Sequence, residues 1–256
     1  MLDYIMNNSL YILCPLIFIA GFLDGSVGGG GLISVPAYII TEIPLHIAYG
    51  TNKLVNGVGM IFSAIKYIKN KCIIPRLVLP AALAALVGSQ IGAKLVILIN
   101  EEYCQWILVA LLPIILLLVI LNKKYFYNIA EVKTDKPPKQ IINCLVALVI
   151  GCYDGFFGPG AGTFYILAFT LFLRIDMVYS AGNTKIINVI SNFGALAVFA
   201  SQGLLMYEIV LPAMVCSIVG NYLGAAFAIR HGTKFMLPLL SVILAALLIK
   251  VLLDFL

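Results

Sequence analysis

The stretch GFLDGSVGGGG, residues 21–31, places the acid Asp24 and a run of four glycines inside an apolar segment. The chain around it has the composition of a membrane protein, since 62% of its residues are hydrophobic and 11% are charged. About a quarter of the residues in a soluble domain are charged. Apolar runs of about 20 residues, the length of a bilayer-spanning helix, recur along the chain. The sequence therefore predicts an integral membrane protein whose backbone is interrupted beside a carboxylate at membrane depth.

The same arrangement occurs a second time in GCYDGFFGPGAG, residues 151–162, where Gly, Asp and Gly recur 130 positions later. Two further pairs of blocks repeat at an offset of 132 positions: GTNKLVN (50–56) with GNTKIIN (182–188), and LPAALAALVGSQIGA (79–93) with LPAMVCSIVGNYLGA (211–225). Three matched blocks in one order indicate a duplicated chain. We place the two halves at 1–122 and 140–256.

The distribution of positive charge predicts that the two halves are inverted in the membrane. Lys and Arg concentrate in the cytoplasmic loops of membrane proteins. Residues 66–76 hold three lysines and one arginine, whereas the equivalent loop around 201–208 holds neither residue type. The central loop, 123–139, carries five lysines and is assigned to the cytoplasm. Equivalent loops then face opposite sides, and both termini lie outside.

This topology requires the first apolar segment of each half to begin and end on one side of the membrane. We therefore predict an all-α polytopic membrane protein of two inverted repeats, each a broken re-entrant helical hairpin followed by three transmembrane helices. The first repeat has its hairpin at 10–42 and helices at 46–68, 75–98 and 103–122; the second has its hairpin at 141–174 and helices at 176–201, 207–229 and 234–254.

The glycine-rich tips of the hairpins are the first candidate binding elements. Irregular backbone at membrane depth is tolerated only inside protein or beside an aqueous cavity. Half-helix N-termini in such a cavity direct free N–H groups and a positive dipole end at a ligand, which favours an anion. Glycine also lets a ligand approach the backbone closely. The predicted tip residues are Gly28, Gly29, Gly30, Gly31 and Leu32 in the first half, and Gly158, Pro159, Gly160, Ala161, Gly162 and Thr163 in the second.

Ionisable and amide side chains complete the predicted site. Asp24 and Asp154 are candidates for proton coupling, because intramembrane acids are costly and usually functional, although helix capping is the alternative. The predicted substrate-binding side chains are Asn52, Lys53, Asn56, Thr184, Lys185, Asn188 and Asn192. The lysines either supply charge to an anion or snorkel to the interface, and the amides either bind a substrate or join helices. Burial beside an anion favours neutral carboxyls, so anion affinity should fall as pH rises.

These motifs together resemble the TauE/SafE family of sulfite and organosulfur anion transporters. The resemblance rests on GFLDGSVGGGG, GTNKLVN, GCYDGFFGPGAGTF, NTKIINVISNFGALAVF, and LPAMVCSIVGNYLGA followed by Arg230. It implies a bacterial inner-membrane transporter that exports sulfite, sulfonates or related anions and is coupled to protons or other ions. Pro159 and Ala161 replace glycines of the first tip, so the two tips need not contribute equally.

Two other functions remain open from the sequence. Broken helices also occur in channels, so a gated anion channel is an alternative. An intramembrane aspartyl protease also needs two embedded acids, but the GxGD pattern of such enzymes is absent. The expected partners are a small anionic substrate and the lipid bilayer, without nucleic acid, and the oligomeric state is left open. The cysteines form neither a CxxC motif nor a cluster with histidine, so no metal and no cofactor are predicted.

Overall fold

The structure is a computed structural model that describes residues 2–99, 140–236, 238–239 and 241–242, with backbone alone for residues 2–9. Every regular element within these ranges is helical, so the predicted all-α class is confirmed for this part of the chain. The predicted helix at 103–122, the loop at 123–139 and most of the helix at 234–254 lie outside the described residues.

The described helices fall into two series of four. Their bounds are α1 Leu2–Val27, α2 Gly31–Ile40, α3 Leu45–Lys69, α4 Pro75–Leu98, α5 Gln140–Phe156, α6 Ala161–Phe172, α7 Met177–Ser201 and α8 Val210–His231, with a 3-10 turn at Tyr207–Ile209 before α8. In the described part, four stretches are long and apolar enough to cross a bilayer: Leu10–Val27, Pro75–Leu98, Met177–Ser201 and Tyr207–His231.

The surface and the interior have the polarity expected of a protein in lipid. The side chains of Leu79, Leu83 and Val87 follow one another at helical spacing on α4 and are each more than half exposed. The interior instead contains charged and amide side chains, among them Lys53 and Lys185. An apolar exterior around a polar interior is opposite to the usual arrangement in water. The chain is an integral membrane protein.

Glycine conformation interrupts the helix in both series. The first helix ends at Val27, and Gly28 adopts φ +81°. Its N–H bonds back to the carbonyl oxygens of Leu23 and Asp24 at 3.0 and 3.1 Å. Gly158, the repeat mate of Gly28, has φ +86° after α5. Glycine adopts positive φ without the steric cost of a Cβ atom, so it ends a helix at these positions.

The backbone repeats the same unusual conformations at equivalent places. Glu42 and Arg174 lie 132 positions apart, directly after α2 and α6, and have φ +62° and +56°. Lys71 and Gly203 lie 132 positions apart, after α3 and α7, and have φ +57° and +69°. Positive φ is uncommon outside glycine. Its recurrence at equivalent positions indicates that the duplication extends from sequence to backbone.

The first arm of each hairpin packs against a helix of the other half. The helix α1 lies along α8, and α5 lies along α4. A Cβ atom at Gly92 on α4 would come within 2.8 Å of the Phe156 nitrogen on α5, and one at Gly224 on α8 would come within 2.8 Å of the Phe22 carbonyl carbon on α1. Small residues allow this close helix contact in a membrane. Because α1 packs on α8 and α5 packs on α4, the glycine tips of the two halves come together.

Candidate functional site

The two glycine tips are in direct backbone contact. The Thr163 N–H donates to the Gly28 carbonyl oxygen at 3.3 Å, and the Thr163 hydroxyl donates to the Val27 carbonyl oxygen at 3.0 Å. A Cβ atom at Gly162 would lie 2.7 Å from the Gly28 Cα atom. No residue larger than glycine fits at position 162 without a shift of the Gly28 backbone, because Cβ atoms do not approach other atoms so closely. The tips therefore form one close backbone contact.

A small, partly open cavity lies beside this contact. Its volume is about 20 Å³, which is room for about one water molecule. It is lined by Asp24, Gly28, Gly31, Asn52, Lys53, Asn56, Met60, Asp154, Gly158, Gly162, Asn188 and Asn192. Residues from α1, α2, α3, α5, α6, α7 and both tips converge here. All of the lining residues except Met60 belong to the set that the sequence selected.

Met60 is the lining residue that the sequence reasoning missed. It follows Asn52 and Asn56 at intervals of four positions on α3, so the three side chains share one helix face. The Asn192 amide nitrogen approaches the Met60 sulfur at 3.8 Å. The helical spacing would have identified this residue, but its apolar side chain gave no signal of a polar site.

The remaining predicted residues lie around the cavity and do not line it: Gly29, Gly30, Leu32, Pro159, Gly160, Ala161, Thr163, Thr184 and Lys185. Gly30 packs against Asp24, since a Cβ atom there would lie 2.6 Å from the Asp24 Cβ atom. Thr184 is fully buried. These residues shape the walls behind the lining, and Thr163 joins the two tips.

Each of the two buried lysines caps the hairpin arm of the opposite half. Lys53 on α3 donates to the Asp154 carbonyl oxygen near the end of α5 at 2.5 Å. Lys185 on α7 donates to the Asp24 carbonyl oxygen near the end of α1. A cation near a helix C-terminus is favourable because it opposes the negative end of the dipole. The lysines therefore connect the halves to each other and are not snorkelling to the interface.

The two acids differ in what their carboxylates contact. Lys53 Nζ lies 2.7 Å from Asp154 Oδ1, and the Ser191 hydroxyl donates to Asp154 Oδ2 at 2.5 Å. Asp24 is equally buried, but its Oδ2 has no hydrogen-bond partner among the described residues. Each acid lies in the last turn of α1 or α5. The Gly30 N–H, directly before α2, donates to the Asp24 carboxylate, so Asp24 also caps the start of the next helix. Only Asp154 is held by a full set of donors.

Amide side chains form the rest of the polar lining. The Asn56 amide nitrogen donates to Asn52 Oδ1 at 3.0 Å, and the Ser217 hydroxyl donates to Asn56 Oδ1 at 3.4 Å. The Asn192 amide nitrogen donates to the Asn188 carbonyl oxygen at 2.8 Å. Amides offer both donors and acceptors, so they can solvate a polar ligand of either sign.

The helix N-termini at the tips offer fewer free donors than the glycine pattern suggested. Gly31, at the start of α2, and Gly162, in the first turn of α6, both line the cavity. The positive dipole ends of both helices therefore face it. The N–H groups of Leu32, Ile33 and Thr163 are already bonded, at 3.2, 3.0 and 3.3 Å, to carbonyl oxygens of the tips. Side chains of α3 and α7 thus contribute much of the polar lining.

Comparisons with known proteins identify the family. The profile described as "Sulfite exporter TauE/SafE" matches residues 13–251. A "Probable membrane transporter protein ORF9" of Sinorhizobium sp is 32% identical over 93% of this chain and 90% of its own length. A "Probable membrane transporter protein YfcA" of Escherichia coli K12 is 30% identical over 96% of this chain and 94% of its own length. No solved structure matches the chain significantly. The chain belongs to the TauE/SafE family of membrane transporters.

Proposed function

We propose that this protein is a secondary transporter that moves a small oxyanion, such as sulfite or an organosulfonate, through the cavity between the two glycine tips. The observation that carries the proposal is the small cavity lined by both tips, a buried lysine and four asparagines. The family is a transporter family named for sulfite export. We infer export across a bacterial inner membrane from that name and from the bacterial relatives.

The cavity can stabilise negative charge in three ways. Two helix N-termini supply partial positive charges of about 0.5 each, Lys53 supplies a full charge, and the asparagine amides supply neutral donors. Glycines at the tips leave space beside the backbone for a ligand. An oxyanion satisfies all of these groups, because each of its oxygens accepts hydrogen bonds.

Binding requires the cavity to open. A space of about 20 Å³ holds about one water molecule, and a sulfite ion has four heavy atoms. Lys53 is also engaged by the Asp154 carboxylate at 2.7 Å. We infer that an entering anion competes with Asp154 for Lys53 and that the lining helices separate to admit it. The closed cavity would then be an occluded state between outward and inward opening.

Inverted topology supports alternating access to this cavity. The loop charges predict that the two halves face opposite sides, and each hairpin packs on a helix of the other half. In transporters built from inverted repeats, the same motion carried out by either half opens the central site to one side or the other. We propose this arrangement here, with the tips near the membrane midplane.

The test is anion uptake by proteoliposomes with sulfite, thiosulfate, sulfate and methanesulfonate as probes. The wild type should show saturable flux for at least one probe. The double variant Lys53→Met/Asp154→Asn removes both charges of the pair and should lose that flux. Lys69→Met on the exposed end of the same helix is the matched control and should keep it. Flux that rises without saturation would favour the gated channel. Equal flux in the double variant and in Lys69→Met would show that Lys53 does not bind the anion.

A further inference from the structure

We propose that Asp24 alone, of the two tip acids, is the proton-binding site of this transporter, and that one proton bound there accompanies each monovalent anion. This rests on the proposed anion transport and adds the identity of the coupling group and the stoichiometry. The sequence treats the two acids as equivalent repeat mates. The structure separates them.

The first observation is the set of donors around each carboxylate. Asp154 receives the ammonium of Lys53 at 2.7 Å and the hydroxyl of Ser191 at 2.5 Å. Such donors stabilise the ionised form of a carboxylate. Asp24 is 2% exposed, lines the cavity, and has an Oδ2 atom without any partner among the described residues. A buried carboxylate oxygen without a donor is costly, and a proton on it removes the charge that makes it so.

The repeat explains why Asp24 lacks these donors. The position equivalent to Ser191 in the first half is Gly59, 132 residues earlier. No hydroxyl can be placed there without displacing a neighbour, because a Cβ atom at Gly59 would come within 2.8 Å of the Asn221 amide nitrogen. Lys185 donates to the backbone oxygen of Asp24. Lys185 also attracts the carboxylate, and the Gly30 N–H donates to it. Among the described residues, however, no cation lies within ion-pair distance of this carboxylate, and its Oδ2 keeps no donor.

A second unsatisfied acceptor lies in the same cavity. Asn188 Oδ1 is buried and has no hydrogen-bond partner among the described residues. A protonated Asp24 carboxyl is an O–H donor, which is the kind of partner that Asn188 Oδ1 lacks. Ca²⁺ and Mg²⁺ take oxygen ligands that include carboxylates, and the described residues contain no group of three or more acids, histidines or cysteines that could hold a metal ion. The cavity therefore suits a proton better than a metal ion.

Charge balance gives the stoichiometry. The charged groups that face Asp24 are Lys185 from α7, Lys53 from α3 and Asp154 from α5. The helices α2 and α6 carry no charged side chain, and their titratable groups are the phenols of Tyr38 and Tyr165. The charged groups of α8 lie in its last turn. With both acids ionised, two lysines and two carboxylates cancel. A bound monovalent anion then leaves one uncompensated buried charge, which protonation of Asp24 removes. Proton and anion move together, in the direction set by their combined gradients.

The test begins with the proton site alone, without any substrate. Infrared spectroscopy of the full chain in liposomes, from acidic to alkaline pH, should show the carbonyl band of one buried protonated carboxyl. The band should be lost in Asp24→Asn, kept in the double variant Lys53→Met/Asp154→Asn and kept in the exposed control Glu208→Gln. Asp24→Glu keeps a titratable group and should shift the band, which separates loss of the acid from a folding defect in Asp24→Asn. A band lost in the double variant, or no such band in the wild type, would overturn the proposal.

The second measurement is the coupling, with methanesulfonate as the probe because its single charge does not change with pH, and with ethanesulfonate, which is also monovalent, if methanesulfonate is not taken up. Above the titration of Asp24, apparent affinity should fall about tenfold per pH unit, as one linked proton requires. That slope should vanish in Asp24→Asn. Anion flux with an unchanged slope in this variant would refute the coupling but leave the proposed function intact. An infrared band that depends on Asp24, without flux of any anion, would refute the proposed function but leave the proton site intact.

Discussion

Removing one partner of the Lys53–Asp154 pair is expected to destabilise the protein more than removing both. The two groups are 2.7 Å apart, and each residue is 3% exposed. Lys53→Met leaves a buried carboxylate with the Ser191 hydroxyl as its only remaining side-chain donor among the described residues. The expected loss is about 3–5 kcal/mol of unfolding free energy, because an uncompensated charge stays in the interior.

Asp154→Asn should cost a similar amount for the same reason, since the ammonium then loses its counter-charge. The double variant carries no charge at this place and should lie within about 2 kcal/mol of the wild type, because well-packed neutral replacements of a buried pair are often tolerated. On these values the two single variants should couple by at least about 4 kcal/mol in a double-mutant cycle. Lys66→Met is the control, because its ammonium bonds the Tyr222 hydroxyl at 3.2 Å in a half-exposed position and should cost less than about 1 kcal/mol.

The assay is reversible unfolding in mixed micelles of mild detergent and dodecyl sulfate, followed by circular dichroism. Additive effects of Lys53→Met and Asp154→Asn would refute the reasoning, because they would show that the two charges do not depend on each other in the folded protein. A double variant as unstable as either single variant would refute it as well, since removing the second charge should restore stability.

Three further outcomes are expected from the same structure. Gly162→Ala should lower the folded yield by inserting a Cβ atom 2.7 Å from the Gly28 Cα atom, while Gly57→Ala, with no neighbour nearer than 3.5 Å, should be neutral or slightly stabilising by thermal unfolding. Gly160→Leu should abolish anion flux because φ is +79° there; normal flux would contradict a constrained tip. Single cysteines introduced at 123–139 into a cysteine-free chain should react only with reagent on the cytoplasmic side; external labelling would reverse the orientation.

The features that could be predicted from the sequence are those set by composition or by neighbouring residues. Helix length and hydropathy are set by neighbouring residues, so the all-helical class and the membrane setting were predictable. Glycine at 28 and 158 marked the helix breaks because positive φ is a property of the single residue. The asparagines of α3 indicated its polar face from the sequence. Met60 lies on the same face, but its apolar side chain carries no signal of a polar site.

The sequence by itself determined the class of the protein, its family motifs and nearly all of the residues around the cavity. The tertiary structure alone decided which lysine meets which acid. Lys53 contacts Asp154 across 101 positions and Lys185 contacts Asp24 across 161, and each pair joins opposite halves. The repeat made the two acids look alike, but packing around Gly59 and Ser191 gave Asp154 a donor for each oxygen and left Asp24 with one oxygen unpaired. Such differences depend on contacts between distant segments, which no local pattern encodes.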